Sequence, residues 1–310
     1  MNFTQQPRAL MMVRPSAFGF NALTAGTNEF QKKPAVDEGI QLQALGEFDR
    51  MSDLLRAHEI ELHVFQDDKT HVKPDAIFPN NWISFHQDGS VVLYPMMAHN
   101  RRTERRMDVV ETLKSQFQIH NIIDLSVCEE QSEFLEGTGS VVFDHRNRIA
   151  YAARSPRTSE KLVAELCHRL GYKPLVFDAF DHWKQPIYHT NVLLSVGAKF
   201  AMVCLDAIIS DTDQEALLES FSATGHQVIA ISYEQMQAFA GNVLEVMTAN
   251  NDPVVLLSRT AYNSLIPGQV DALTRFAELL PMEISTIETC GGGSVRCMVA
   301  GIHLPERNTL

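Results

Sequence analysis

The sequence predicts an α/β protein in which five ββαβ units form a closed ring. A pattern of hairpin, helix and strand recurs roughly every fifty to sixty residues. One copy of this pattern is split between the two ends of the chain, so that pairing of the N- and C-terminal strands would complete it. Full closure leaves no exposed sheet edge, which is a physical reason for a ring. An open α/β sheet with an antiparallel edge strand is the alternative.

The first two complete units have the same order of elements. WISFHQDGSVVLYP (82–95) is an apolar hairpin about an Asp-Gly turn, and a helical stretch at 101–117 and the strand IIDLS follow it. The second hairpin is SVVFDHRNRIAYAAR (140–154). The next segment, SPRTSEKLVAELCHRLG (155–171), has the Ser-Pro opening and the Gly stop of a helix, and KPLVFDA is the strand after it.

The remaining units repeat this order. In the third, VLLSVGAKFAMVCL is the hairpin, DTDQEALLESFSATG the helix and QVIAIS the strand. In the fourth, VLEVM and DPVVLLS form the hairpin, SLIPGQVDALTRFAELL contains the helix, and EISTIET (283–289) is the strand. The split unit joins SVRCMVAGIHL (294–304) to RALMMVRP (8–15), with a helix at 37–58 and the strand IELHVFQ.

The composition is that of one soluble domain covering residues 1–310. Hydrophobic residues make up 45% and charged residues 21%, which is enough for a substantial core. The net charge of −12 argues against a nucleic-acid partner. No apolar run reaches the roughly 20 residues that cross a bilayer, and the N-terminus lacks the features of a signal peptide. We therefore expect a cytoplasmic protein with no membrane partner.

Cysteine and histidine usage predicts neither a disulfide framework nor a metal site. The five cysteines are scattered over 310 residues. There is no pair of CxxC motifs and no HExxH motif. The CGGG run at 290–293 lacks the Lys-Ser/Thr signature and the following helix of a phosphate loop. We therefore expect no metal and no cofactor.

Unusual polar residues stand where the hairpins begin. From Asn81 onward the positions Glu136, His189, Asn242 and Cys297 follow at spacings of 55, 53, 53 and 55 residues. Equivalent positions in a ring of equivalent units converge on its axis. The sequence therefore predicts that a carboxylate, an imidazole, a thiol and amides face one central cavity. The glycines at 291–293 would let the backbone approach a ligand or another strand closely.

Each of these residues also has an ordinary structural explanation. A free cysteine such as Cys297 is most often a small buried hydrophobe. The glycine-rich segment just before it, and the histidine and glutamate at the equivalent positions of other units, favour a nucleophile instead. His189 could be a structural residue whose ring nitrogens are hydrogen-bonded within the protein. Glu136 could be a surface carboxylate in a loop. Asn242 equally fits a turn. The arginines at 101 and 157 could be helix-start charges, or could hold a substrate carboxylate through forked hydrogen bonds.

The motifs resemble, in order and spacing, those of the guanidino-group modifying superfamily, the pentein or arginine deiminase-like enzymes. FPNNW (78–82) lies where that superfamily has Phe-x-x-Asp, FLEGTG (134–139) resembles Glu-Gly-Gly-Asp, and YHTN (188–191) resembles His-x-Asp. The Gly-rich segment ending in Cys297 matches the nucleophile. The resemblance covers nearly the whole chain and implies a five-bladed α/β propeller of ββαβ units, closed by pairing of the N- and C-terminal strands.

The resemblance also implies the roles of individual residues. Cys297, His189 and Glu136 would be catalytic. AHNRRTE resembles an Arg-x-x-Glu segment and implies that Arg101 contacts the substrate carboxylate, and ARSPRT resembles Gly-x-Ser-x-Arg-Thr and implies Arg157 as a second contact. The expected substrate-binding set is completed by asparagines: Asn80, Asn81, Asn191 and Asn242.

Two departures from the superfamily pattern bear on the substrate. Asn81 and Asn191 are neutral amides where the deiminases typically clamp the guanidinium with aspartates, and Gly139 replaces the last Asp of the Glu motif. A buried cation without paired carboxylates is costly, whereas an amide complements both the carbonyl and the N–H groups of a neutral ureido group. Within the superfamily, the RPSAFGFN and FPNNW segments most resemble those of the branch of citrulline-utilisation hydrolases. Glu136 still offers one negative charge, so arginine stays open.

The expected reaction is cleavage of a C–N bond in citrulline, or in arginine, to give ornithine through a covalent thio-carbamoyl or thio-amidino intermediate. An arginine deiminase and an amidinotransferase are the enzymatic alternatives. A catalytically dead propeller that only binds a ligand is the non-enzymatic one. The expected partner is a small-molecule amino acid. The sequence leaves open whether the chain forms a homo-oligomer, which substrate it uses, whether water or an amine is the acceptor, and the physiological pathway.

Overall fold

The strands of this protein form small separate sheets. The computed structural model describes residues 3–35 and 38–307, and within these ranges there are five sheets of three strands each. In chain order the strands are β1 (Ala9–Arg14), β2 (Glu61–Gln66), β3 (Ile83–Phe85), β4 (Ser90–Leu93), β5 (Asn121–Asp124), β6 (Val142–Asp144), β7 (Ile149–Ala153), β8 (Lys173–Phe177), β9 (Leu194–Val196), β10 (Phe200–Val203), β11 (Gln227–Ala230), β12 (Leu244–Met247), β13 (Pro253–Ser258), β14 (Glu278–Met282) and β15 (Ala300–Ile302).

All five sheets have one topology. A short first strand pairs antiparallel with a middle strand, and a third strand lies parallel to the middle strand on its other side, as in β3-β4-β5. Parallel neighbours need a crossover connection, which a helical segment supplies in each sheet. The predicted repeat of hairpin, helix and strand is thereby confirmed, but each sheet keeps two edge strands, so the expected removal of sheet edges by closure is wrong.

Helices connect and flank the sheets. The described α-helices are α1 (Ala22–Ala25), α2 (Ile40–Ala57), α3 (Met107–Leu113), α4 (Gly137–Ser140), α5 (Glu160–Leu170), α6 (Thr190–Leu193), α7 (Asp211–Thr224), α8 (Tyr233–Gln237), α9 (Arg259–Ser264), α10 (Pro267–Thr274) and α11 (Ser285–Gly291). Short 3₁₀ turns cover Pro79–Asn81, His99–Glu104, Ser126–Gln131 and Leu205–Ala207. None of the helices in the described ranges is long and apolar enough to cross a membrane.

The two ends of the chain meet in one sheet, as the sequence predicts. β15 pairs antiparallel with β1, with Ala9 opposite Ile302 and Met11 opposite Ala300. β2 pairs with the other side of β1 in parallel. The crossover helix α2 lies within the predicted range of 37–58, and residue 37 itself falls outside the described residues.

Two elements differ from the sequence prediction. The helix expected at 101–117 is confined to α3, because the preceding 3₁₀ turn carries the buried side chains of Arg101 and Glu104 inward. The strand expected at 283–289 is wrong: the third strand of its sheet is β14, and residues 285–291 form α11. β14 is an edge strand, where Pro281 is tolerated although it lacks an N–H.

The middle strands lie in the core. Every residue of β4 and β10 is buried, because one face packs on the crossover helix and the other faces the rest of the molecule. Helix α7, for example, buries Leu217 and Phe221 fully. The first strands of all five sheets line a single internal cavity. Residues where a first strand begins are therefore carried to the interior.

Candidate active site

A glycine-rich turn delivers Cys297 into the interior. Helix α11 ends at Gly291 and is capped by Gly292, whose φ of +64° favours glycine. A side chain at Gly291 or Gly293 would collide with the ring of Phe78, and one at Gly293 would also lie 3.2 Å from Cβ of Cys297. The backbone N–H of Cys297 then donates to the carbonyl of Ser294 at 2.9 Å. The glycines thus permit a close approach of the turn to Phe78.

Two asparagines contact the sulfur of Cys297. Nδ2 of Asn242 lies 3.4 Å from Sγ and Nδ2 of Asn191 lies 3.7 Å from it. Burial raises the pKa of the thiol. A backbone hydrogen bond from Ser294, a hydrogen bond from the side-chain amide of Asn242 and the positive charge of Arg296 act in the opposite direction. The resting thiol is therefore protonated at neutral pH, and its reaction as a nucleophile requires a base.

His189 and Glu136 form a buried pair. Nε2 of His189 is 2.9 Å from Oε2 of Glu136, and both side chains are almost completely buried. Burial lowers the pKa of His189 to about 4, although Glu136 acts in the opposite direction. The imidazole is thus neutral at pH 7. Because the carboxylate accepts the proton on Nε2, Nδ1 carries the free lone pair, which suits a general base.

Glu136 is held ionised by its neighbours. Burial raises its pKa, but the charge of Arg157 and the hydrogen bond from His189 more than offset this and hold the pKa well below its ordinary value. Nη1 of Arg157 is 3.4 Å from Oε2 of Glu136, and the backbone N–H of Met97 donates to Oε1 at 3.0 Å. Glu136 thereby fixes the orientation and tautomer of the imidazole.

Arg157 also fastens the segment around α1 over the site. Its Nη2 donates to the carbonyl of Thr24 at 3.0 Å, and its Nε donates to Oγ1 of Thr27 at 3.1 Å. The guanidinium lies 5.0 Å above the ring of Tyr188, a cation–π contact. Arg157 therefore joins Glu136 to residues that cover the site.

Arg101 is the centre of a second buried charge cluster. Its Nη2 donates to Glu104 at 2.9 Å, its Nη1 donates to Oδ1 of Asn81 at 2.9 Å, and its Nε is 3.6 Å from Oδ2 of Asp75. Burial lowers the pKa of Arg101, but the charges of Glu104 and Asp75 more than offset this and raise it. Burial raises the pKa of Glu104 to about 7.

Many of the predicted residues face one enclosed space, which we call the Cys297 cavity. Cys297, His189, Asn81, Arg101 and Arg157 line it. The other lining residues of this cavity are Thr24, Asn28, Asp75, Phe78, Tyr188 and the three glycines at 291–293. The structure therefore brings residues from distant units together around one cavity, as the sequence predicts.

The other predicted residues lie beside this cavity. Glu136 is behind His189, and Asn242 contacts the sulfur without lining the cavity. Asn191 also contacts the sulfur, but it lines the internal cavity between the first strands. Asn80 is fully buried, and neither its Oδ1 nor its Nδ2 has a hydrogen-bond partner in the described part of the chain.

Sequence reasoning missed three contributors to the cavity. Asp75 lines it with an Oδ1 that no described residue hydrogen-bonds. Tyr188 donates from its hydroxyl to the carbonyl of Gly292 at 2.7 Å. Asn28 donates to the same carbonyl at 3.1 Å. Asp75 stands three residues before FPNNW and Tyr188 directly before His189, so closeness to the motifs was the available signal.

Comparison with known proteins agrees with this arrangement. The chain matches the model of one protein family, N,N dimethylarginine dimethylhydrolase (eukaryotic), over residues 14–304. The chain belongs to this family. Membership places it in the pentein superfamily of guanidino-modifying enzymes, among hydrolases that act on non-peptide C–N bonds. A search of curated protein sequences found no match.

Solved structures share the fold of this dimethylhydrolase family member. The N-terminal domain of ArgZ, an arginine dihydrolase from the ornithine–ammonia cycle in cyanobacteria, has a TM-score of 0.76 at 14% identity, covering 96% of this chain and 98% of that domain. Unliganded AgrE has a TM-score of 0.75 at 17% identity, but this chain spans only 40% of it. A dimethylarginine dimethylaminohydrolase has a TM-score of 0.64 at 12% identity, covering 95% and 99%.

Proposed function

We propose that this enzyme hydrolyses the ureido group of citrulline to give ornithine, ammonia and carbon dioxide, with Cys297 as the nucleophile. One observation carries the choice of substrate. The charged residues that line the Cys297 cavity, among those described, are two arginines and one aspartate: Arg101, Arg157 and Asp75. Both arginines are already paired with carboxylates, Arg101 with Glu104 and Asp75, and Arg157 with Glu136. The donor left for the substrate head is Nδ2 of Asn81, which has no partner in the described ranges. A neutral ureido head offers an oxygen that accepts from this donor, whereas a cationic guanidinium head offers no acceptor.

The amino-acid end of the substrate has matching groups in the cavity. Arg101 and Arg157 would attract its α-carboxylate. The unpartnered Oδ1 of Asp75 would accept a hydrogen bond from its α-ammonium group. At the other end, Nδ2 of Asn81 has no partner in the described ranges and would donate to the ureido oxygen.

The first chemical step would form a covalent intermediate. The Cys297 thiol gives its proton to Nδ1 of His189, and the sulfur attacks the ureido carbon. The tetrahedral intermediate then collapses, the bond from the ureido carbon to the side-chain nitrogen breaks, and His189 returns the proton to that nitrogen. Ornithine leaves, and a carbamoyl group remains bonded to the sulfur. Asn191 and Asn242 would steady the sulfur through their Nδ2 contacts.

The second step would regenerate the thiol. His189 takes a proton from water, and the oxygen attacks the carbamoyl carbon. The bond from carbon to sulfur breaks and the proton passes to Cys297, which releases carbamic acid. Carbamic acid decomposes to ammonia and carbon dioxide. Glu136 supports both steps by stabilising the imidazolium that forms transiently.

We also infer that the five sheets are the blades of an α/β propeller. The lining of one internal cavity by the first strands of all five sheets supports this arrangement, as does the pairing of β1 with β15. A cytoplasmic location stays a proposal from composition. A single domain is proposed on the same grounds, and a small-molecule amino-acid partner is proposed from the residues that line the Cys297 cavity.

The deciding experiment compares substrates. The purified protein is incubated with citrulline, arginine, methylated arginines and agmatine, and ornithine, citrulline and ammonia are measured. We expect ornithine and ammonia from citrulline, and no turnover by the Cys297→Ser variant with its fold intact. The half-buried Cys128 provides the matched control Cys128→Ser, which should keep full activity. Activity retained by Cys297→Ser would refute the nucleophile.

Arginine is the second candidate substrate. The N-terminal domain of ArgZ has been solved with its substrate bound and AgrE with L-arginine bound, and this chain shares their fold. Ornithine formed from arginine but not from citrulline would favour a dihydrolase, and citrulline formed from arginine would favour a deiminase. Transfer of an amidino group to glycine or lysine, without release to water, would favour an amidinotransferase. No reaction of Cys297 with a haloamidine would favour a binding module.

A further inference from the structure

A second enclosed space, which we call the Arg296 cavity, lies next to the sulfur. Asn191 lines it while its Nδ2 contacts Sγ of Cys297. Arg296, the residue before Cys297, lines it too, together with the first strands of all five sheets. None of the chemistry proposed above uses this space.

Arg296 brings an uncompensated positive charge into this cavity. It forms no ion pair with any residue in the described ranges, and the one hydrogen bond that those residues offer its guanidinium runs from Nη1 to the carbonyl of Val299 at 3.1 Å. Burial lowers the pKa of Arg296 to about 10, so it stays charged at neutral pH. The guanidinium is half-buried, and donors that make no hydrogen bond within the described ranges are left for an anion in the cavity.

Further hydrogen-bonding groups without partners line the same space. Nδ1 of His86, Nδ1 of His303 and Oγ of Ser195 are buried and lack a hydrogen-bond partner within the described part of the chain. Nε2 of His86 is 2.7 Å from Oγ of Ser84, which in turn is 2.7 Å from the Tyr94 hydroxyl. When Nε2 accepts from Ser84, Nδ1 of His86 is an N–H donor.

The other titratable groups in the lining do not neutralise Arg296. Burial lowers the pKa of His86 to about 4 and that of His303 to about 3, and it lowers the pKa of His145 strongly, so these imidazoles are neutral. Glu245 also lines the cavity, but its Oε2 accepts the backbone N–H of Ala198, and burial raises its pKa. It forms no ion pair with Arg296.

The size of the cavity limits what can bind. Its volume is about 40 Å³, and one water molecule needs about 10–15 Å³ of such volume. A halide or a comparably small inorganic anion therefore fits this space without movement of its walls.

We infer that the Arg296 cavity is a binding site for one small inorganic anion, held by the guanidinium of Arg296 and the donors of His86, His303 and Ser195. The anion would lie beside Asn191, one side chain away from the nucleophile. This site differs from the Cys297 cavity in its walls and in the ligand it takes.

Bromide is the probe for a direct test. The thermal midpoint of the full chain is measured in sodium bromide and, at equal ionic strength, in the sodium salt of a bulky organic sulfonate that exceeds the cavity. We expect bromide to raise the midpoint of the wild type by several degrees relative to the sulfonate. Crystals grown in bromide should show one anomalous peak next to Arg296.

Variants separate the site from general salt effects. Arg296→Met should abolish the difference between bromide and sulfonate. The exposed Arg56 provides the control Arg56→Met, which should keep the difference. If Arg296→Met does not fold, Ser195→Ala should weaken the apparent bromide affinity about tenfold. An equal response to both salts in the wild type, or crystals without bromide in this cavity, would overturn the proposal.

Discussion

Replacing Gly139 by alanine should disable the site through a steric effect on two functional side chains. A Cβ at this position would lie 2.6 Å from Nδ2 of Asn81, 2.7 Å from Nδ1 of His189 and 2.8 Å from Cε1 of His189. Ordinary contact begins at 3.4 Å, so both side chains would have to retreat by roughly 0.7 Å in a densely packed interior. The φ of Gly139 is not positive, so alanine brings no backbone strain.

The expected loss follows from this displacement. Nδ1 of His189 is the proposed base, and misplacement of a reacting group by about 1 Å can cost roughly 10²-fold in rate. We expect kcat/KM for ornithine formation to fall about 10²-fold, with a loss of about 1–3 kcal/mol in the free energy of unfolding from overpacking. Ornithine release and urea unfolding measure the two effects.

Gly268 supplies the matched control. It lies on the exposed surface of α10, and a Cβ there meets nothing within 4 Å. Gly268→Ala should keep wild-type activity and stability. If Gly139→Ala retained more than half of the wild-type kcat/KM while remaining folded, the proposed dependence of catalysis on the positions of Asn81 and His189 would be wrong.

Three other substitutions or conditions give sharp expectations. Burial lowers the pKa of His86, His189 and His303 to about 4, 4 and 3, so the unfolded chain binds these protons first as the pH falls below about 6.5. Burial raises the pKa of Glu29 and of Glu104 to about 7, which acts in the opposite direction over the same pH range, so the test compares the wild type with His86→Gln. The loss of unfolding free energy from pH 7 to pH 5 should be smaller in this variant by on the order of 1–2 kcal/mol; an equal pH dependence of the urea midpoint in both proteins would contradict this. Glu136→Gln leaves the buried guanidinium next to it uncompensated and should cost about 3–5 kcal/mol of stability, measured by the same unfolding curves. Asn81→Asp adds a negative charge to the Cys297 cavity and should raise the ratio of kcat/KM for arginine to that for citrulline at least about tenfold; competition between the two substrates measures this ratio, and an unchanged ratio would remove charge as the basis of selectivity.

The repeat made the main features of the fold and site predictable. Residues at equivalent positions in successive units had to come together, and Asn81, His189 and Cys297 do line one cavity. Pairing of the two ends followed from the split unit, and β1 and β15 do pair. These predictions succeeded because they depend on the order of elements and not on side-chain detail.

Irregular segments could not be predicted in the same way. The residues that cover the site, such as Thr24 and Thr27, belong to a stretch without apolar periodicity, and contacts with Arg157 fix their positions. The strand misplaced at 283–289 is rich in β-branched residues, which favour strands. Its two isoleucines are three positions apart, as on a helix face, and β14, earlier in the chain, already pairs in parallel with β13. The position of Glu136 behind His189 depends on the backbone conformation of Gly137. Gly137 has a φ of +50°, and it lies so close to the backbone of Asn80 that no side chain would fit there.

The pairing of β1 with β15 has a consequence for folding kinetics. Ala9 and Ile302 become neighbours although almost the entire chain separates them, and closing a loop of that length costs roughly 5 kcal/mol in chain entropy. Contacts of such long range form slowly. Because Cys297 lies only a few residues before β15, the nucleophile should reach its place in one of the last events of folding, and thiol reactivity should lag behind the appearance of helical structure during refolding.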